Sequence, residues 1–118
     1  MRESFAKAQQ FASRHGISVT RNLLPMRPFA HVFEEHGIQL IDFLSIDVEG
    51  AELELLQTID FVKVKVRVIA IEMKESSDEL RNRTALVGSL LRRSGFVDNG
   101  VRTRLSDQIW ISRTLPLA

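Results

Sequence analysis

The chain has 118 residues, enough for one domain with a modest core but not for two. Hydrophobic residues make up 44% and charged residues 26%, and the net charge of +1 gives no argument for a nucleic-acid or anionic-membrane partner. No run approaches the roughly 18 apolar residues of a bilayer span, and the polar start of the chain lacks the apolar core of a signal peptide. Cysteine is absent, which excludes disulfides, thiolate metal sites and a cysteine nucleophile. We expect a cytoplasmic location by default, which a signal or anchor upstream of Met1 would change.

The first third of the chain is predicted to contain two helices and one short strand. Apolar residues at helical spacing predict a helix over 3–15, with Gly16 as its left-handed cap. Residues 17–20 form a short β-prone stretch, which is followed by a loop. Pro28 then suits the first turn of a short helix that ends at Gly37.

The middle of the chain contains the two clearest strands. The apolar run Leu40–Ile46 predicts a buried strand, and strong helix formers over 51–59 predict a helix directly after it. Residues 66–73, rich in β-branched side chains, predict a second buried strand. Ser76 and Glu79 have the spacing of a capping box at the start of the following helix.

The last predicted elements are two strands that could pair as an antiparallel hairpin, at 96–97 and 108–112. Helix and strand alternate along the whole chain in the order α-β-α-β-α-β-α-β-β. That order predicts an α/β fold with a largely parallel sheet covered by helices.

Acidic residues stand where both central strands end. Asp47 and Glu49 follow the first strand and Glu72 lies at the end of the second. Because ligands of open parallel sheets bind at the carboxyl ends of the strands, we expect these side chains to point into one crevice. There they could accept hydrogen bonds from a substrate hydroxyl or amine, or bind a cation. Gly50 lets the backbone turn sharply into the next helix.

Simpler interpretations exist for the same residues. Glu49 could merely cap a helix, and Glu72 could be a solvated strand end. Asp42 could pair with a neighbouring loop, and Trp110 is most simply a core residue. The histidines have no metal-ligand spacing between them: His15, His31 and His36.

The stretch IDFLSIDVEGAELELL, residues 41–56, resembles the signature iDfLkiDvEGaElevL of the FkbM family of S-adenosyl-L-methionine (AdoMet)-dependent methyltransferases. The match is long and contiguous. The IAIEM strand about twenty residues downstream and a closing strand around 107–111 fit the same frame. The resemblance covers roughly residues 19–112.

This resemblance implies the C-terminal portion of the Rossmann-like class I methyltransferase fold, a mostly parallel sheet with a terminal antiparallel hairpin. Residues 1–118 would be a single partial domain that transfers a methyl group to a hydroxyl of a sugar or small molecule. Asp47 and Glu49 would be the catalytic candidates, and Asp47 would also border the AdoMet cofactor. Glu72 and Gly50 would contribute to substrate binding.

The chain departs from the family pattern in its glycines. The family binds AdoMet through a glycine-rich turn after its first strand, and here no two glycines lie within four positions of each other. We expect the donor-binding strands to be absent and AdoMet binding by this chain alone to be doubtful. The strand over 40–46 would then present a bare edge, to be covered by a missing N-terminal half or by self-association.

Three functional hypotheses follow. The first is a methyltransferase fragment, and the second is a non-catalytic interaction module similar to the Star-type proteins of secretory-pathway trafficking. The third is a hydrolase whose cation site consists of Asp47, Glu49 and Glu72, although nothing supplies the histidine or further carboxylates that such a site would need.

Overall fold

The computed structural model describes residues 2–116. It contains four helices and four strands in this range: two helices come first, strands and helices then alternate, and a pair of strands closes the chain. The elements are α1 (Arg2–His15), α2 (Phe29–Glu35), β1 (Leu40–Ile46), α3 (Glu52–Gln57), β2 (Lys65–Glu72), α4 (Asp78–Arg93), β3 (Phe96–Arg102) and β4 (Asp107–Ser112).

Most predicted elements are present, and two details are wrong. Residues 17–20 form no strand, since they lie in an exposed extended segment without a neighbouring strand. The cap of α4 is Ser77 rather than Ser76, because the Ser77 side chain accepts a hydrogen bond from the backbone N–H of Leu80 at 3.2 Å. Gly16 has a φ of 64°, as expected of the left-handed residue after α1.

The four strands form one mixed sheet in the order β1-β2-β4-β3. β1 pairs in parallel with β2, whereas β4 is antiparallel to both β2 and β3. Three strands therefore run in one direction, but β4 inserts between two of them and makes two of the three pairings antiparallel. The expectation of a mostly parallel sheet is not met, while the terminal antiparallel pair is confirmed.

The core lies between α4 and the centre of the sheet. Ile69 of β2 and Trp110 of β4 are paired and almost completely buried, and Val87 and Leu91 of α4 belong to the same buried cluster. The alternation of β4 follows from this packing: Gln108 and Trp110 are buried, and the residues after each are only half-buried. None of the helices within residues 2–116 has the length and apolarity needed to cross a membrane.

β1 is an edge strand, and its expected burial is wrong. Among its seven residues only Ile46 is buried, and Phe43 is 60% exposed. The reason is its position, because no other strand within residues 2–116 pairs with its outer side. The expected bare edge is therefore present over Leu40–Ile46.

Candidate functional site

The candidate site lies where the two parallel strands end. Ile46 and Ile71 are register partners at the last step of the β1–β2 pairing, so the residues just beyond them emerge at the same edge of the sheet. Carboxylate oxygens of Asp47, Glu49 and Glu72 lie within 4.8 Å of one another. The predicted meeting of these three acids is confirmed, while their roles stay a prediction.

The turn after β1 is held in an unusual backbone conformation. Glu49 has a φ of 51° and Gly50 a φ of 107°, and the first of these is sparsely populated by residues with a side chain. The Gly50 N–H donates to the Glu52 carboxylate at 3.2 Å, and the Arg83 guanidinium donates to the Gly50 carbonyl at 2.9 Å. Contacts from α3 and α4 thus fix the turn that presents Asp47 and Glu49.

Glu49 has a basic partner. The Lys74 ammonium donates to its carboxylate at 2.7 Å, and this contact raises the pKa of Lys74. The interpretation of Glu49 as a simple helix cap is wrong, because the α3 N-cap is Ala51 and no side chain caps the helix there.

Glu72, in contrast, lies beside two other carboxyl groups, those of Asp47 and Glu49. A hydrogen bond with Asp47 is the largest cause that raises the pKa of Glu72, followed by desolvation and by repulsion from the charge of Asp47. Lys74 opposes this shift. The carboxyl of Glu72 therefore holds a proton more tightly than an isolated glutamate does, and the proximity of Asp47 is the main cause.

Arg83 of α4 links the turn after β1 to helix α3. Besides the Gly50 carbonyl it binds Glu54 at 2.6 Å, which lowers the pKa of Glu54. Arg83 and Lys74 line a small cavity of about 40 Å³ together with Glu49 and Glu72. The cavity is too small for a sugar, so a ligand would have to lie on the open side, where Asp47 and Glu49 are exposed.

Sequence reasoning missed both basic residues. Lys74 stands two positions after Glu72, at the same strand end, and this spacing could have indicated it. Arg83 lies 33 positions from Gly50, and no local pattern indicates that contact. Asp42 pairs with Arg67 of β2 at 2.9 Å rather than with a loop, and Trp110 is a core residue, as predicted.

Together these features define an α/β protein with a carboxylate-rich crevice at the carboxyl edge of its parallel strands. The chain matches the profile of the methyltransferase FkbM domain over residues 3–97, which is most of its length. It belongs to the FkbM methyltransferase family. The match ends within β3, so β4 lies outside it. Comparisons with curated proteins and with solved structures gave no match.

FkbM methyltransferases typically use AdoMet, which needs both a border for its cationic methyl donor and a turn that holds its nucleoside. The acids at the strand ends could border a cationic methyl donor. A glycine-rich turn for its nucleoside is missing from the sequence, and the glycine of the candidate site, Gly50, has no other glycine near it in the chain. Residues 2–116 therefore do not fit AdoMet by themselves.

Proposed function

We propose that this chain supplies the acceptor side of an AdoMet-dependent methyltransferase site with a Rossmann-like class I fold, acting on a hydroxyl of a sugar or small molecule. The single observation that supports this most is the group formed by Asp47, Glu49 and Glu72 at the ends of β1 and β2. The family of the chain supports the reaction class. The strand order supports the fold, since the antiparallel pair closes the sheet on the side of β2 that faces away from β1.

In this proposal the three acids have different tasks. Glu49 is held by Lys74 at 2.7 Å and is the less available proton acceptor. Asp47 is exposed, and it accepts the hydrogen bond of the acceptor hydroxyl. The proton released from that hydroxyl passes by way of Asp47 to Glu72, whose pKa is raised mainly by its hydrogen bond with Asp47.

The fixed turn contributes orientation. A hydroxyl oxygen that attacks a methyl carbon must approach in line, and positioning supplies a large part of the rate in such reactions. The contacts of Gly50 with Glu52 and Arg83 hold the turn before a substrate arrives. This rigidity lets Asp47 act from a defined position although its side chain is exposed.

The test is a methyl-transfer assay with radiolabelled AdoMet and a panel of sugars and small-molecule alcohols, using the longest polypeptide that the gene encodes. Asp47→Asn should lower the rate by about 10²- to 10⁴-fold, the usual contribution of a positioned proton acceptor. Asp42→Asn is the matched control, because it is an acid of the same segment that binds Arg67 outside the crevice.

Full activity of Asp47→Asn would remove Asp47 from the proposal. A wild-type protein that is folded but transfers no methyl group to any acceptor would contradict the enzymatic proposal and favour the interaction-module hypothesis. Calorimetry on the 118-residue chain should detect no AdoMet binding, and a micromolar dissociation constant would overturn that expectation.

The free edge of β1 supports a further part of the proposal, that an extended segment pairs with it. Edge strands expose unpaired N–H and C=O groups, and Leu40 and Phe43 add exposed apolar surface there. The segment is either a donor-binding part of the methyltransferase or the β1 strand of a second copy.

A further inference from the structure

We propose that the groove between α4 and the closing hairpin β3–β4 binds an oxyanion, the phosphate, sulfate or carboxylate group of a ligand. Arg92, Arg102 and the side-chain amide of Gln108 would hold it. The groove encloses about 250 Å³, ample for such a group, and these three residues line it together with Trp110. This inference does not depend on methyl transfer.

Arg92 is the central residue of the groove. Its guanidinium lies over the Trp110 ring at 5.4 Å from the centroid, although Trp110 itself is almost fully buried. None of the ion pairs found within residues 2–116 includes Arg92. Its donors are therefore not engaged by a carboxylate of the described chain, and they can bind an anion in a bidentate manner.

Gly88 makes this position of Arg92 possible. It stands in the middle of α4, where glycine is less favourable than alanine. A Cβ at residue 88 would lie 3.3 Å from the Arg92 Nη1. The glycine thus leaves space for the guanidinium one turn further along the helix.

Gln108 supplies a second donor. It is only 7% exposed, and its Oε1 accepts a hydrogen bond from the Trp110 indole N–H at 3.0 Å. The indole can only donate, so the oxygen must be on its side and the NH₂ group on the other. No partner for that NH₂ group is found within residues 2–116, and no fully buried polar side-chain atom of that range lacks a partner, so the group keeps some contact with solvent. Gln108 lines the groove, where this NH₂ group is available to an anion.

The charge of the groove favours an anion. Three arginines line it, and two of them have a carboxylate partner: Arg81 pairs with Asp78, and Arg102 with Asp98. Arg92 is the arginine of the groove that has no such partner within residues 2–116. Arg102 binds Asp98 through two contacts of 2.9 and 2.6 Å and, with a smaller contribution from Arg92, lowers the pKa of Asp98. Asp98 thus stays ionised and orients Arg102, while the guanidinium of Arg92 stays available to an anion.

The experiment uses the fluorescence of Trp110, which is selective because the chain has one tryptophan and no tyrosine. The 118-residue chain is titrated with inorganic phosphate, sulfate and acetate, each against chloride at equal ionic strength. We expect a saturable change with at least one oxyanion and none with chloride, and the comparison of phosphate with acetate identifies the preferred group. Calorimetry with the same anion gives the affinity independently of the fluorescence.

Arg92→Gln should weaken binding about tenfold or more, the loss expected for one charge-assisted contact. Arg93→Gln is the matched control at the next position, where the side chain bonds the Ser89 carbonyl instead, and it should bind like the wild type. Gly88→Ala keeps every charge but crowds Arg92, so it should weaken binding several-fold without lowering the melting temperature.

Three results would overturn the proposal: an equal response to chloride, unchanged affinity in Arg92→Gln, or equal losses in Arg92→Gln and Arg93→Gln. If circular dichroism shows that Arg92→Gln does not fold, the test depends on Gly88→Ala alone. Undiminished affinity in that variant would then contradict the site.

Discussion

β1 and β2 are neighbouring, parallel strands of similar apolar character, yet they have different environments. β2 is paired on both sides, and Ile69 and Ile71 are completely buried within it. β1 is paired on one side only, and Leu40 and Phe43 are 48% and 60% exposed. The apolar content of a strand indicates that it belongs in a sheet interior, but its place in the sheet decides how much of it is covered.

The packed core and the candidate site also lie on different sides of this pair of strands. The β2 side contains the packed core, with Trp110 and α4 against it, while the β1 side carries the exposed acids and the open edge. Phe43, Val68, Ile111 and Val97 are successive register partners that form a row across the sheet, and the two end residues are exposed.

The largest effect should come from truncating one apolar side chain in each of the two strands, a buried one in β2 and an exposed one in β1. Ile69→Ala removes a fully buried side chain and should lower the free energy of unfolding by about 2–5 kcal/mol. Phe43→Ala removes a larger side chain that is mostly exposed, and it should cost less than about 1 kcal/mol. Urea unfolding of both variants measures the difference. Similar losses would mean that β1 is covered in solution.

The second effect concerns the open edge. If β1 associates with a second copy, Phe43→Lys should weaken self-association about tenfold or more, since an apolar ring that a partner buries is replaced by a charge. Sedimentation velocity over a concentration series measures this. Val62→Lys is the control, because Val62 is an exposed apolar residue in a turn, away from β1. A wild-type chain that stays monomeric throughout would contradict the self-association.

Local sequence patterns predicted most of the helices and strands, but they did not predict the order of the strands in the sheet. β1 and β2 follow from their apolar runs, and α4 from its cap and periodicity. The insertion of β4 between β2 and β3 depends on pairings such as Ile69 with Trp110, 41 positions apart, which no local pattern encodes. The β-prone residues 17–20 remained unpaired for the same reason: strand propensity needs a neighbour to be realised.

The candidate site was predictable to a similar extent. Acids at the ends of two parallel strands had to meet, because the topology brings those ends together. Their different environments were not predictable, since Lys74 reaches Glu49 and leaves Glu72 facing Asp47. Those contacts depend on side-chain directions beyond the strand ends, which the alternation of a strand does not fix.

The smallest expected effect is a dependence of the protein's stability on pH, and it comes from the contact between Asp47 and Glu72 at the two strand ends. The folded protein holds the Glu72 proton more tightly than the unfolded chain, because Asp47 hydrogen-bonds to it and repels its charge. The stabilisation from this proton is therefore complete below the ordinary value of 4.5 and is lost as pH rises through the higher folded pKa. Glu72→Gln keeps an amide donor for Asp47 and does not ionise, so it should not suffer this loss.

Urea midpoints of wild type and Glu72→Gln should therefore diverge in favour of the variant as pH rises above 4.5 and through the raised pKa of Glu72 in the folded protein. Glu34→Gln on α2, away from the crevice, should run parallel to the wild type over this range. Because Lys74 lies beside Glu72 and opposes the shift, the divergence should be small, and it should grow in Lys74→Met. A constant difference between wild type and Glu72→Gln at every pH would mean that Asp47 does not raise the pKa of Glu72, and the proton acceptor of the proposed reaction would then have to be Asp47 alone.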